Sequence, residues 1–126
     1  MGTRSLTHVH SGDIVSPVLV TIYRQFDGYP DGIGKDIAEF LGDMKIVNGI
    51  SDRTFKQANG MECLAAQLIG HLKNAEVGNV YIYPASSKDC GEEFTYHVYE
   101  RDGEAWIQCV EACMDTPARS FTSALV

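Results

Sequence analysis

The run Pro17-Val18-Leu19-Val20-Thr21-Ile22-Tyr23-Arg24 is rich in β-branched and aromatic side chains and predicts a central strand. Its proline stands at the first position, where a missing N–H matters least. The run passes without a linker into Tyr23–Gly32. Those ten residues hold one cation, two carboxylates, three aromatic rings, two glycines and a proline. A turn that only redirected the chain would need the glycines and the proline. The charges and rings exceed that need, so the stretch is the first candidate for a binding site.

A helix follows. Ile33, Ile37, Phe40, Leu41 and Met44 recur on one helical face and predict a helix over about 32–42, with Asp31 as N-cap and Gly42 as the stop. Met61, Leu64, Ala65, Leu68, Ile69 and Leu72 form a second apolar stripe over about 60–74. Asn59 is its expected cap, with Glu62 at the capping-box position. Residues 5–10 alternate and read as an edge strand. Val80–Tyr83 reads as a short strand stopped by Pro84. Residues 93–101 and 104–111 read as a hairpin around Asp102-Gly103, with Phe94, Tyr96 and Val98 on one face of its first arm and Thr95, His97 and Tyr99 on the other. Residues 45–58 read as mostly loop, with a tight turn at Asn48-Gly49 and an exposed stretch at 52–56. The expected fold class is α+β: two helices packed on one face of a mostly antiparallel sheet of about four to five strands. One domain covers 1–113, and 114–126 is a tail, either a loose terminus or an arm that docks on a partner.

A net charge of −7 and the absence of a basic run argue against binding duplex nucleic acid, which needs Lys and Arg to neutralise phosphates. The longest apolar runs are too short to span a bilayer, and residues 1–8 carry no apolar leader segment. An intracellular protein without a membrane partner is expected. Cys63, Cys90, Cys109 and Cys113 give no metal-binding or redox spacing, and Cys63 and Cys109 read as small core side chains.

Within the loop, Arg24 can hold a phosphate or carboxylate as a fork, and Tyr29 or Phe26 can stack on a planar ring. Amides near Gly32 and Gly34 can receive an anion, with Lys35 close by. The plainer reading is that Asp27-Gly28 and Pro30-Asp31-Gly32 are turn chemistry, Phe26 is core and Arg24 pairs with Asp27. The candidate ligand-binding set is Arg24, Asp27, Tyr29 and Lys35, with Asn48, Asn59 and Tyr83 as partners around the same helix N-terminus. Asp89-Cys90-Gly91-Glu92-Glu93 reads as a solvated turn in which acids raise the thiol pKa, so Cys90 is a poor nucleophile. His8 and His10 share a strand face at a spacing that can ligate a metal, but no third ligand has an obvious claim. His71 suits packing or capping at a helix end, and His97 is expected to be exposed. No nucleophile–base, zinc-protease or phosphate-loop motif is present. No catalytic residue, metal or cofactor is expected.

The pattern Ile22-Tyr23-Arg24-Gln25-Phe26-Asp27-Gly28-Tyr29-Pro30 resembles a family of small proteins encoded by phages and prophages. So do Gly34-Lys35, Ala38–Leu41, Ile46–Gly49, Ala58–Met61, Cys63–Leu68, Tyr81–Pro84 and Asp89–Glu93. The resemblance covers roughly residues 17–100. Members often carry His where this chain has Ile33, so a role for a histidine there is absent here, and no catalytic residue is carried over. The resemblance implies a viral accessory protein in the host cytoplasm. The expected function is binding of a small anionic ligand, such as a nucleotide signal of host defence, without turnover. One alternative is an inhibitor that contacts a host protein through an acidic face at 89–104. A second is a small hydrolase with Asp27 or Glu92 as base. An open edge at residues 5–10 makes a homodimer plausible.

Overall fold

The computed structural model describes residues 2–49 and 56–125. Eight strands form one curled, mixed sheet: β1 (Ser5–His10), β2 (Val18–Arg24), β3 (Lys45–Val47), β4 (Gln57–Asn59), β5 (Val80–Tyr83), β6 (Phe94–Arg101), β7 (Glu104–Cys109) and β8 (Met114–Pro117). The order is β4-β3-β7-β6-β1-β2-β5, with β8 also paired to β7. Helices α1 (Lys35–Leu41), α2 (Gly60–Lys73) and α3 (Ala118–Ala124) all pack on one face, and a π-helical turn, Pro30–Gly34, leads into α1.

This corrects the expected fold class. The sheet has eight strands rather than four to five, the helices among the described residues number three, and the central pair β1–β6 is parallel. Three causes account for the difference. First, β1 is an interior strand, not an edge: β2 pairs with it antiparallel and β6 parallel. The edge argument for a homodimer therefore does not hold there, and β5 ends the sheet instead. Second, the stretch expected as loop contributes β3 and β4, which pair in parallel. Residues 50–55, including most of the stretch expected to be exposed, lie outside the described residues. Third, the tail is part of the domain. Met114–Pro117 pairs with β7, and α3 places Phe121 in the core with no exposure. A run of small residues holding one aromatic shows no period, yet one buried ring anchors it.

Other expectations hold in the structure. In α2, Met61, Leu64, Ala65 and Leu68 are buried, and the helix ends on Asn74 in the left-handed region with its N–H on the Gly70 carbonyl. The β6–β7 hairpin turns at Asp102-Gly103, both at positive φ (54° and 77°), as a type I′ turn requires.

Strand alternation sorts the sheet into two faces. Val9, Ile22, Val80, Tyr96, Val98, Ala105, Ile107 and Cys109 face the helices and join their apolar stripes. The neighbouring positions, Leu6, His8, His10, Thr21, Tyr23, His97 and Tyr99, face the other way. No helix covers them, yet most are buried. The connection from β5 to β6 explains this. These strands both run parallel to β1 but flank the β1–β2 pair, so residues 84–93 must recross the sheet. They do so over the helix-free face: Thr21 Oγ1 donates to the Ala85 carbonyl at 3.2 Å, and Glu93 N–H donates to the Arg4 carbonyl at 2.9 Å.

Candidate functional site

The motif loop is first of all a structural knot. Gly28 donates its N–H to the Thr3 carbonyl at 2.8 Å and accepts the Tyr96 hydroxyl at 2.7 Å. A Cβ at Gly28 would lie 2.7 Å from the Thr3 carbonyl oxygen and 2.8 Å from the Arg4 carbonyl carbon, so only glycine fits beside that backbone. Burial pushes the Tyr96 phenol well above its ordinary pKa, so it is a permanent donor to this turn. Asp27 adopts φ 59°, and its carbonyl accepts the Ile33 N–H. Its Oδ1 accepts the Tyr29 hydroxyl at 3.2 Å, and that bond holds the Tyr29 phenol above the usual range. Asp31 does not cap the helix. Tyr29 takes that place without a side-chain bond, and Pro30 opens the π turn.

Arg24 is the motif residue that reaches the cleft at the end of α2. It does not pair with Asp27. Its Nε–H donates to the Phe26 carbonyl at 2.8 Å, and its Nη1 meets Asp36 Oδ2 on α1 at 3.0 Å. The Arg24 side chain is 11% exposed and that of Asp36 is 47% exposed. Together with His71, Leu72, Asn74, Glu76 and Asn79, they line a cleft of about 350 Å³ at the C-terminal end of α2. Asn79 Oδ1 accepts the Phe26 N–H, and Asn79 carbonyl accepts the Gln25 N–H, so the cleft wall is fixed to the motif. His71 stacks on Phe40 with ring centroids 4.3 Å apart, a packing role as expected.

The other candidates do not converge on Arg24. Tyr29 lines a separate recess with Pro30, Asp31, Thr122 and Leu125. Lys35 opens α1 but is not among the residues lining the Arg24 cleft. Asn48 is exposed beyond β3, and Asn59 stands at the N-cap of α2 as expected, but its Oδ1 accepts the Gly49 N–H at 2.7 Å and makes no capping bond to the helix. Tyr83 is on the opposite face, stacked on Tyr23 at 4.9 Å and 3°. The set does not surround one helix N-terminus, because strand alternation separates Arg24 from Tyr23 and its neighbours. The acidic face also divides. Asp89, Glu92 and Glu93 precede β6, while Glu100, Asp102 and Glu104 lie at its far end, roughly 23 Å away at about 3.3 Å per residue. Glu104 pairs with Arg119 at 3.2 Å.

Sequence reasoning missed the second cluster. His97 is not exposed on the hairpin. It lies in register with His8, stacks on it at 5.1 Å and hydrogen-bonds His10 through Nδ1···Nε2 at 2.8 Å. His8 is 8% exposed and His10 5%. Burial and the neighbouring imidazoles hold His97 down at about 4, and burial likewise lowers His8. The available signal was alternation: His8 and His10 on one strand and His97 at an outward position of another. Their pairing required the β1–β6 register. Among the described residues, no three His, Cys, Asp or Glu side chains stand ready to hold a metal ion, and no helix is long and apolar enough to cross a membrane. Comparison with protein-family models, with curated proteins and with solved structures finds no match to this chain.

Proposed function

We propose that the protein binds a small anionic ligand in the cleft beside Arg24 and does not turn it over. The state of Arg24 carries this reading. Its guanidinium is nearly buried, aimed by the Phe26 carbonyl and opposed by a half-exposed Asp36. A phosphate or carboxylate can replace the Asp36 carboxylate at Nη1 while Asp36 returns to water, so the buried cation is never left unpaired. Asp36 and Glu76 also set a condition: the ligand must bring hydrogen-bond donors as well as an anion. A nucleotide meets both demands, with its phosphate toward Arg24 and the amino edge of its base toward Glu76 and Asn74. The resemblance of the Tyr23–Pro30 motif supports an accessory role in a phage-infected cell. There, in the host cytoplasm, a nucleotide signal of defence is the ligand class to try first.

Mass spectrometry of host extract retained by the protein, followed by calorimetry with the recovered nucleotide, tests this. Intact ligand is expected after denaturing the complex. Arg24→Gln should weaken binding at least about tenfold, the scale of a charge-assisted hydrogen bond of about 1.5–3 kcal/mol. Asp36→Asn should tighten it by removing the competitor. An extract that yields no nucleotide, or an Arg24→Gln protein that binds as well as the wild type, contradicts the reading.

A further inference from the structure

We propose that His8 and His97 form a binding site for a borderline divalent metal ion of the Zn²⁺ or Cu²⁺ kind, held through the Nε2 atoms of the two rings, with His10 as a positioning residue.

The assignment follows from which atoms can donate. His10 Nδ1 lies 2.9 Å from the Ser16 carbonyl, which only accepts, so Nδ1 carries the proton. In neutral His10 the Nε2 is then bare and accepts from His97 Nδ1 at 2.8 Å. That fixes the His97 proton on Nδ1 and leaves its Nε2 with a free lone pair. His8 reaches the same state by another route. Its Nδ1 lies 2.8 Å from Thr21 Oγ1, and the single Thr21 proton goes to the Ala85 carbonyl. The hydroxyl must therefore accept from His8 Nδ1–H, and His8 Nε2 is bare.

Among the described residues, neither Nε2 has a hydrogen-bond partner. The fully buried, unpartnered side-chain atoms among the described residues are Ser5 Oγ and Thr7 Oγ1. Both imidazole lone pairs therefore reach solvent. The two rings stand on adjacent parallel strands in direct register, with centroids 5.1 Å apart and planes at 29°. A second ring nitrogen tied to a carbonyl or hydroxyl is how proteins fix a metal-binding histidine's tautomer and orientation. Neutral imidazole pairs select borderline ions. Glu92 acts electrostatically on His8 and Glu111 on His97, so negative charge is at hand to offset the ion. With two protein ligands and water in the remaining positions, the ion is held more weakly than in a closed structural zinc site.

The test is titration of the full chain with Cu²⁺ alone at neutral pH, followed by native mass spectrometry and electron paramagnetic resonance. One ion per chain is expected, with hyperfine structure from two imidazole nitrogens. His8→Gln and His97→Gln should each weaken binding at least tenfold, and His71→Gln should not change it. His10→Gln keeps an acceptor for His97 Nδ1–H and should retain binding, whereas His10→Leu should weaken it. If a variant misfolds, paramagnetic broadening in the wild-type chain gives the answer. Broadening centred on His8 and His97 supports the site. Broadening centred on His71 or a cysteine, a spectrum without imidazole nitrogen, or no bound ion overturns it.

Discussion

The sheet face under the helices and the face crossed by residues 84–93 are built from alternate residues of the same strands, yet they are held by different means. Under the helices, Ile22, Tyr96, Val98 and Ile107 meet Ile37, Leu64, Leu68 and Phe121, and volume decides what fits. On the other face the bonds are directional. His8 donates to Thr21, which donates to the Ala85 carbonyl, and in a separate run His97 donates to His10, which donates to the Ser16 carbonyl. Tyr23 stacks on Tyr83, and Arg101 sits 4.5 Å over the Trp106 ring. The comparison teaches that the conspicuous motif serves mainly the first face. Reactive side chains gather on the second, where no motif marks them.

The comparison breaks most easily on the helix side. Phe121→Ala removes a fully buried ring and should cost about 3–5 kcal/mol in denaturant unfolding. A loss under about 1 kcal/mol would make the C-terminal segment a loose arm after all. Gly28→Ala forces a methyl against the Thr3 and Arg4 backbone and should cost about 1–3 kcal/mol. Wild-type stability in that variant would remove the structural explanation of the motif. On the helix face the Thr7 hydroxyl has no hydrogen-bond partner among the described residues, so Thr7→Val should stabilise by about 1 kcal/mol. No gain would mean the hydroxyl has a partner.

The smallest effect concerns the other face. His8 and His97 have folded pKa values below the unfolded value of about 6.5. On acidification the unfolded chain takes up their protons first. Their contribution is therefore complete above about pH 6.5 and is lost as pH falls, for His97 down to about 4. Subtracting the stability–pH curve of His97→Gln from that of the wild type should isolate this window. Parallel curves would show that the ring is not desolvated.

What was legible in the sequence was local. The apolar stripe of α2, the strand from Val18 to Arg24 and the Asp102-Gly103 turn each rest on residues within one helix, one strand or one turn. What was not legible depends on distant neighbours. Residues 5–10 look like an edge until β6 arrives from 89 positions on, and the same pairing brings His97 to His8. Arg24 finds Asp36 rather than Asp27 because the π turn brings α1 back across the end of β2. Asn59, a good cap by type, is claimed by the Gly49 amide. Of the candidate site, Arg24 kept a place on a cleft. Tyr83 was lost to the opposite face, a placement that follows from alternation once Tyr23 and Arg24 are fixed in β2.

Nitrogen-15 chemical shifts of the imidazole rings, followed through a pH titration, test the two-faced account most directly. The account expects His8, His10 and His97 to carry their protons on Nδ1 at neutral pH, His8 to titrate below 6.5 and His97 at about 4. Protons on Nε2 of His97 or His8, or ordinary titration near 6.5 for both, would contradict it.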